Sequence, residues 1–107
     1  MTPQQRRDRL EAMLRDDPND DFLRYGLAME FVSVGELETA VQHLRDLIAN
    51  KPDRPYVPAF LMAAQSLVKL GRATEAMSTL RQGIDAAGKQ NELHAQGEMQ
   101  GLLESLE

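Results

Sequence analysis

Apolar residues recur three and four positions apart along most of this chain, the spacing that lines one face of an α-helix and not the alternation that marks a strand. Leu23, Leu27, Phe31 and Val34 make one stripe, and Leu37, Ala40, Val41, Leu44, Leu47 and Ile48 make the next. Gly35 stands between them, where a glycine can adopt the left-handed conformation that ends a helix and lets the chain reverse. The pattern returns 36 residues later: GELETAVQHLRDLIANKP begins at Gly35, and GRATEAMSTLRQGIDAAG begins at Gly71. Ala40 then matches Ala76, Leu44 matches Leu80, Arg45 matches Arg81 and Ile48 matches Ile84. Upstream of Gly71 the stripe is Phe60, Ala64 and Leu67; downstream it is Ala73, Ala76, Met77, Leu80 and Ile84. A period of this length predicts stacked helix pairs, because one pair cannot bury its apolar face alone.

The joints are legible too. Asp17-Pro18-Asn19-Asp20 stops one helix and offers side chains that cap the next. Pro52, Pro55 and Pro58 forbid a helix through KPDRPYVP, and Pro58 suits the first turn of the helix that follows, where its missing N–H costs nothing. Thr2-Pro3-Gln4-Gln5 predicts a capped helix running to about Arg15. Its Leu10, Met13 and Leu14 precede Pro18 at the spacings with which Leu44, Leu47 and Ile48 precede Pro52, so it reads as the second helix of a unit whose first is missing. Ala95, Met99, Leu102 and Leu106 predict a terminal helix packed on the last unit, weakened by Gly97 and Gly101.

The expected fold is therefore all-α, an α-α superhelix of about six antiparallel helices in a single domain over residues 1–107. It divides into a capping helix (1–15), a first repeat (20–52), a second repeat (56–88) and a C-terminal cap (89–107) that matches no repeat well. Two units are marginal for such a stack. The flanking helices complete the core, or a second subunit does, which raises a homodimer as an expectation.

The set Leu27-Ala28, Phe31, Gly35, Ala40, Leu44, Leu47 and Pro52 resembles the tetratricopeptide repeat, in which small and large apolar residues at these intervals let two helices pack closely and a proline closes the unit. Ala63-Ala64, Leu67, Gly71, Ala76 and Leu80 carry the second copy. Gly83 and Gly88 depart from it, standing where a larger apolar residue and the closing proline are expected. The resemblance spans about residues 6–88 and implies a concave surface lined by the first helix of each pair. Carried onto this sequence, those positions are Phe22, Tyr25, Met29, Val32 and Ser33 in the first unit and Leu61, Met62, Gln65, Val68 and Lys69 in the second. Seven of the ten are apolar or aromatic, and an exposed patch of that kind marks a binding surface. Methionines adapt to varied apolar ligands, so the expected ligand is an apolar peptide or an amphipathic helix of a protein partner. The family's clamp for the C-terminal carboxylate of chaperone tails uses lysine, arginine and asparagine; Tyr25, Met29 and Met62 stand there instead. The alternative is a structural oligomerisation module whose groove is filled by its own C-terminal helix or by a second subunit.

Composition narrows the rest. The 107 residues carry a formal charge of −5 with both signs mixed, which disfavours general affinity for nucleic acid or anionic membrane. Residues 1–15 are the exception at a net +2, from Arg6, Arg7, Arg9 and Arg15 against Asp8 and Glu11. There is no cysteine, hence no thiol nucleophile and no Cys-based zinc site. MTPQQRRDRL lacks the apolar run of a secretory signal, and no segment approaches the ~20 apolar residues of a membrane span, so a cytoplasmic protein is expected. His43 and His94 lie far apart in sequence, His43 off its apolar stripe and so expected to be exposed; no catalytic residues are assigned. In DDPNDD, Asp17, Asn19 and Asp21 have the first spacings of a calcium loop, but Phe22 and Ala28 replace the glycine and glutamate that the loop requires. No metal ligand and no cofactor are therefore expected, and two tyrosines without tryptophan make no stacking groove for nucleic acid.

Overall fold

The computed structural model covers residues 1–107 and contains six helices: α1 (Pro3–Asp16), α2 (Asp21–Ser33), α3 (Leu37–Asn50), α4 (Val57–Lys69), α5 (Ala73–Lys89) and α6 (Leu93–Leu106). Each packs on the one before it, and α6 also touches α4. Local chemistry sets the starts of the first two. Thr2 accepts from the Gln5 N–H while the Gln5 side chain accepts from the Thr2 N–H, a complete capping box. Asp20 caps α2 by accepting from the Leu23 N–H at 3.0 Å. Pro58 lies in the first turn of α4.

The reversals share one geometry. Gly35 has φ 78° and Gly71 has φ 76°; in each turn the glycine N–H and the next N–H bond back to carbonyls of the preceding helix, Val32 and Phe31 in one case, Val68 and Leu67 in the other. This double bond pattern satisfies carbonyls that a helix end leaves unpaired. A third turn repeats it: Asn91, at φ 58°, donates to Gly88, and Glu92 donates to Ala87. Asparagine tolerates the left-handed region better than other non-glycine residues, so α5 and α6 are joined by the same device.

The core is built on small residues at the crossings. Ala40, Ala63, Ala64 and Ala76 have no exposed surface, which lets Leu44, Leu47, Leu67 and Leu80 interlock between helices. Each such leucine, fully removed from water, contributes about 1.5–3 kcal/mol. Where a large apolar residue was expected, Gly83 permits a closer approach: a Cβ there would lie 2.6 Å from Phe60 Cβ and 2.5 Å from Met99 Sδ. With Gly88 in place of a closing proline, α5 continues to Lys89 and is three residues longer than α3.

Helix α1 is held differently. None of its residues is buried, and it is tied by an Arg6–Glu30 ion pair and by the Arg7 guanidinium, which lies 5.2 Å over the Phe31 ring. Phe31 in turn stacks on His43 at 4.9 Å with planes 18° apart. His43, expected in the open, is therefore half-buried against an aromatic ring. Between the two hairpins a polar seam closes one edge: Glu75 accepts from Arg45 at 3.0 Å and from Arg72, which also reaches Glu38 at 2.6 Å.

Candidate functional site

Helices α2, α4 and α6 begin at Asp21, Val57 and Leu93, 36 residues apart each time. Because a fixed interval preserves the angular position around parallel helices, equivalent residues face the same way. Leu27, Ala63 and Met99 occupy one equivalent position and all three are buried, whereas at the next one Ala28 and Ala64 are buried and Gln100 is exposed. The segment 89–107, expected to match no repeat, thus supplies a third helix in the register of the first two.

The ten positions expected to line the concave side fall on α2 and α4. Tyr25, Leu61 and Met62 meet around an open pocket of about 150 Å3, whose other walls come from Val57, Pro58 and the α6 residues Ala95, Glu98 and Met99. Phe22, Met29, Val32, Ser33, Gln65, Val68 and Lys69 lie along the same two helices outside that pocket. Phe22, Ser33, Gln65 and Lys69 are exposed. The other six are half-buried, which corrects the expectation of an openly exposed apolar patch. Tyr25 and Met62 lean on the cluster around Leu44 and Leu47, while Leu61 and Val68 lean on the one that contains Met99. Among the apolar members only Phe22, at 74% exposure, stands free.

Helix α6 packs on α5 and runs along α4, so it forms one wall of this groove, and the pocket beside Tyr25 stays open. By register it contributes His94, Gly97, Glu98, Gly101 and Glu104 at the positions that Pro58, Leu61, Met62, Gln65 and Val68 hold on α4. None of the five belongs to an apolar stripe, so the three- and four-residue spacing that marks α2 and α4 does not report them. The constant interval from Asp21 to Val57 to Leu93 was the signal that could have found them.

Electrostatics differ along and across the groove. The Tyr25 and Tyr56 rings meet at 5.4 Å, tilted by 52°. Burial pushes the Tyr25 hydroxyl above its ordinary range, with Tyr56 adding to the effect. Burial raises Tyr56 likewise, and the carboxylates of Asp21, Asp20 and Glu92 raise it further. Acidic groups therefore gather where α2, α4 and α6 begin, with Lys51 bonded to Asp21 at 2.9 Å among them. The wall formed by α2 is apolar, with Phe22, Tyr25, Met29 and Val32; α6 brings apolar Ala95 and Met99 to the pocket and adds the carboxylates of Glu98 and Glu104.

Nothing in this groove assembles a reactive set. His43 is stacked on Phe31, and His94 is exposed beside Glu98 at 3.2 Å. No group of three or more His, Cys, Asp or Glu residues is placed to hold a metal ion, and no helix is long and apolar enough to cross a membrane.

A family model described as the tetratricopeptide repeat matches residues 31–96, more than half of the chain. The solution structure of protein BPP2914 from Bordetella parapertussis superposes with a TM-score of 0.78 at 26% identity, over 94% of this chain and 85% of that one. No curated protein shows significant similarity to the sequence.

Proposed function

The chain belongs to the tetratricopeptide repeat family, whose members generally mediate protein–protein interaction, and from that premise we propose that it is a non-catalytic adaptor holding an apolar peptide or an amphipathic helix in the groove of α2, α4 and α6. The observation that carries this reading is the pocket where Tyr25, Leu61 and Met62 meet Met99 beneath an open mouth. Apolar side chains converge there from three helices, with adaptable methionines among them. Three parallel helix faces make a trough, and a helical ligand presenting residues at three- and four-residue spacing fits one.

Display of helical peptides on an array, probed with the wild-type protein and with a Met29→Glu, Met62→Glu variant, tests the proposal. Peptides should be captured by the first and lost by the second, with the variant's circular dichroism melt confirming that it is folded. Capture that is equal for both proteins places the binding elsewhere.

One observation favours a second reading, a structural module that pairs with another copy. Met13 is 44% exposed, yet it holds on α1 the position at which Leu47 is fully buried on α3. Light scattering that finds a monomer at every concentration removes that reading.

A further inference from the structure

Across its width the groove changes chemistry. On the α2 side it presents Phe22, Tyr25 and Met29. On the α6 side Glu98 lines the pocket itself, and Glu104 follows at the equivalent of Val68. Residues 91–107 contain four glutamates, Glu92, Glu98, Glu104 and Glu107, and no lysine or arginine. The one cation among the ten groove positions on α2 and α4 is Lys69, at the far end of α4.

Around the axis of α6, at ~100° per residue, Gly97 and Gly101 lie at angles between those of Glu98 and Glu104, at the equivalents of Leu61 and Gln65. A Cβ at either would meet nothing within 4 Å, so this wall stands at backbone level and keeps the acidic side chains at its margins. An occupant can approach α6 closely while its flank comes within reach of Glu98 and Glu104.

Resting on the groove reading above, we infer that the partner is a basic amphipathic helix, its apolar face turned to α2 and α4 and its lysine or arginine flank turned to α6. Complementary charge suppresses wrong partners and fixes orientation more than it adds affinity. The α6 carboxylates therefore select which apolar helix is taken and how it lies, while the α2 and α4 side chains hold it.

Two synthetic 18-residue amphipathic peptides separate the two layers of this reading. They share one leucine face and differ in carrying lysines or glutamates on the flanks; fluorescence anisotropy reads their affinity. The lysine peptide should bind at least tenfold more tightly at about 0.1 M salt and lose most of that preference at about 1 M, where the screening length falls to ~3 Å. Glu98→Gln with Glu104→Gln should also remove the preference. Glu11→Gln with Asp53→Asn changes the net charge equally on exposed positions away from the groove and should leave it intact. Equal binding of both peptides, or a preference that survives Glu98→Gln with Glu104→Gln, overturns the charge assignment and leaves the groove standing. Binding of neither peptide overturns both. Circular dichroism melts of the two variants confirm that each is folded.

Discussion

Gly83 and Phe60 approach so closely that a methyl group on the glycine would stand 2.6 Å from the Cβ of Phe60. Real Cβ atoms do not come so near, and Phe60 Cβ cannot move without moving its helix. Alanine at this place gains about 1 kcal/mol of intrinsic helix preference, but overpacking costs about 1–3 kcal/mol and here acts on both Phe60 and Met99. Gly83→Ala should therefore lower the thermal midpoint by several degrees, at roughly 4–8 °C per kcal/mol for a domain near this size. An unchanged or raised midpoint in a calorimetric scan would show that α4, α5 and α6 do not meet this tightly.

Gly97 and Gly101 make the opposite case. Both are in the interior of α6, their backbones are ordinary helix, and the space a Cβ would enter is empty. Gly97→Ala and Gly101→Ala should each stabilise the free protein by about 0.5–1 kcal/mol. Urea denaturation of the two variants checks this. A loss of stability in either would mean that the wall of α6 is not open.

Much of this architecture was legible because glycine and proline act locally. Gly35 and Gly71 show as turns in the sequence for the same reason that they adopt positive φ in the fold, and the Thr2–Gln5 box needs only four residues to be recognised. Two features were hidden. The turn at Asn91 uses a residue that tolerates the left-handed region without requiring it, so the α5–α6 reversal carries no glycine signal. The exposed residues of the α6 wall include Gly97, Glu98, Gly101 and Glu104, which leave no mark in an apolar stripe. His43 was misread for another reason. Its position off the apolar stripe of α3 is real, but Phe31 arrives from another helix to cover it, and no periodicity within α3 can report that.

Asn91 offers a direct test of the turn. At φ 58° it spends conformational energy that glycine would not. Asn91→Gly should leave stability unchanged or raise it by up to about 1 kcal/mol, while Asn91→Val, β-branched and ill-suited to this region, should lower it by about 1–2 kcal/mol. Chemical denaturation of both variants decides the matter, and equal stabilities would show that the turn does not need a left-handed residue.

Glu75 ties the two hairpins together and should make their union sensitive to acid. Hydrogen bonds from Arg72 and then Arg45 hold its carboxyl down at about 2, from an ordinary 4.5. A carboxylate whose pKa is lower in the folded state than in the unfolded one stabilises the fold fully above the unfolded value, and that stabilisation is lost as pH falls towards the folded value. The window here runs from about pH 4.5 down to about pH 2. The site is open to solvent, so the effect is screened and modest, and raising salt should weaken it. Glu75→Gln should therefore be slightly less stable than the wild type at pH 7, and the gap should close as both are titrated through that window. Parallel thermal melts at pH 7, 4.5 and 2.5 measure the gap. If it stays constant across the three, the Arg72–Glu75–Arg45 seam contributes nothing that depends on the charge of Glu75, and the join between hairpins rests on apolar packing alone.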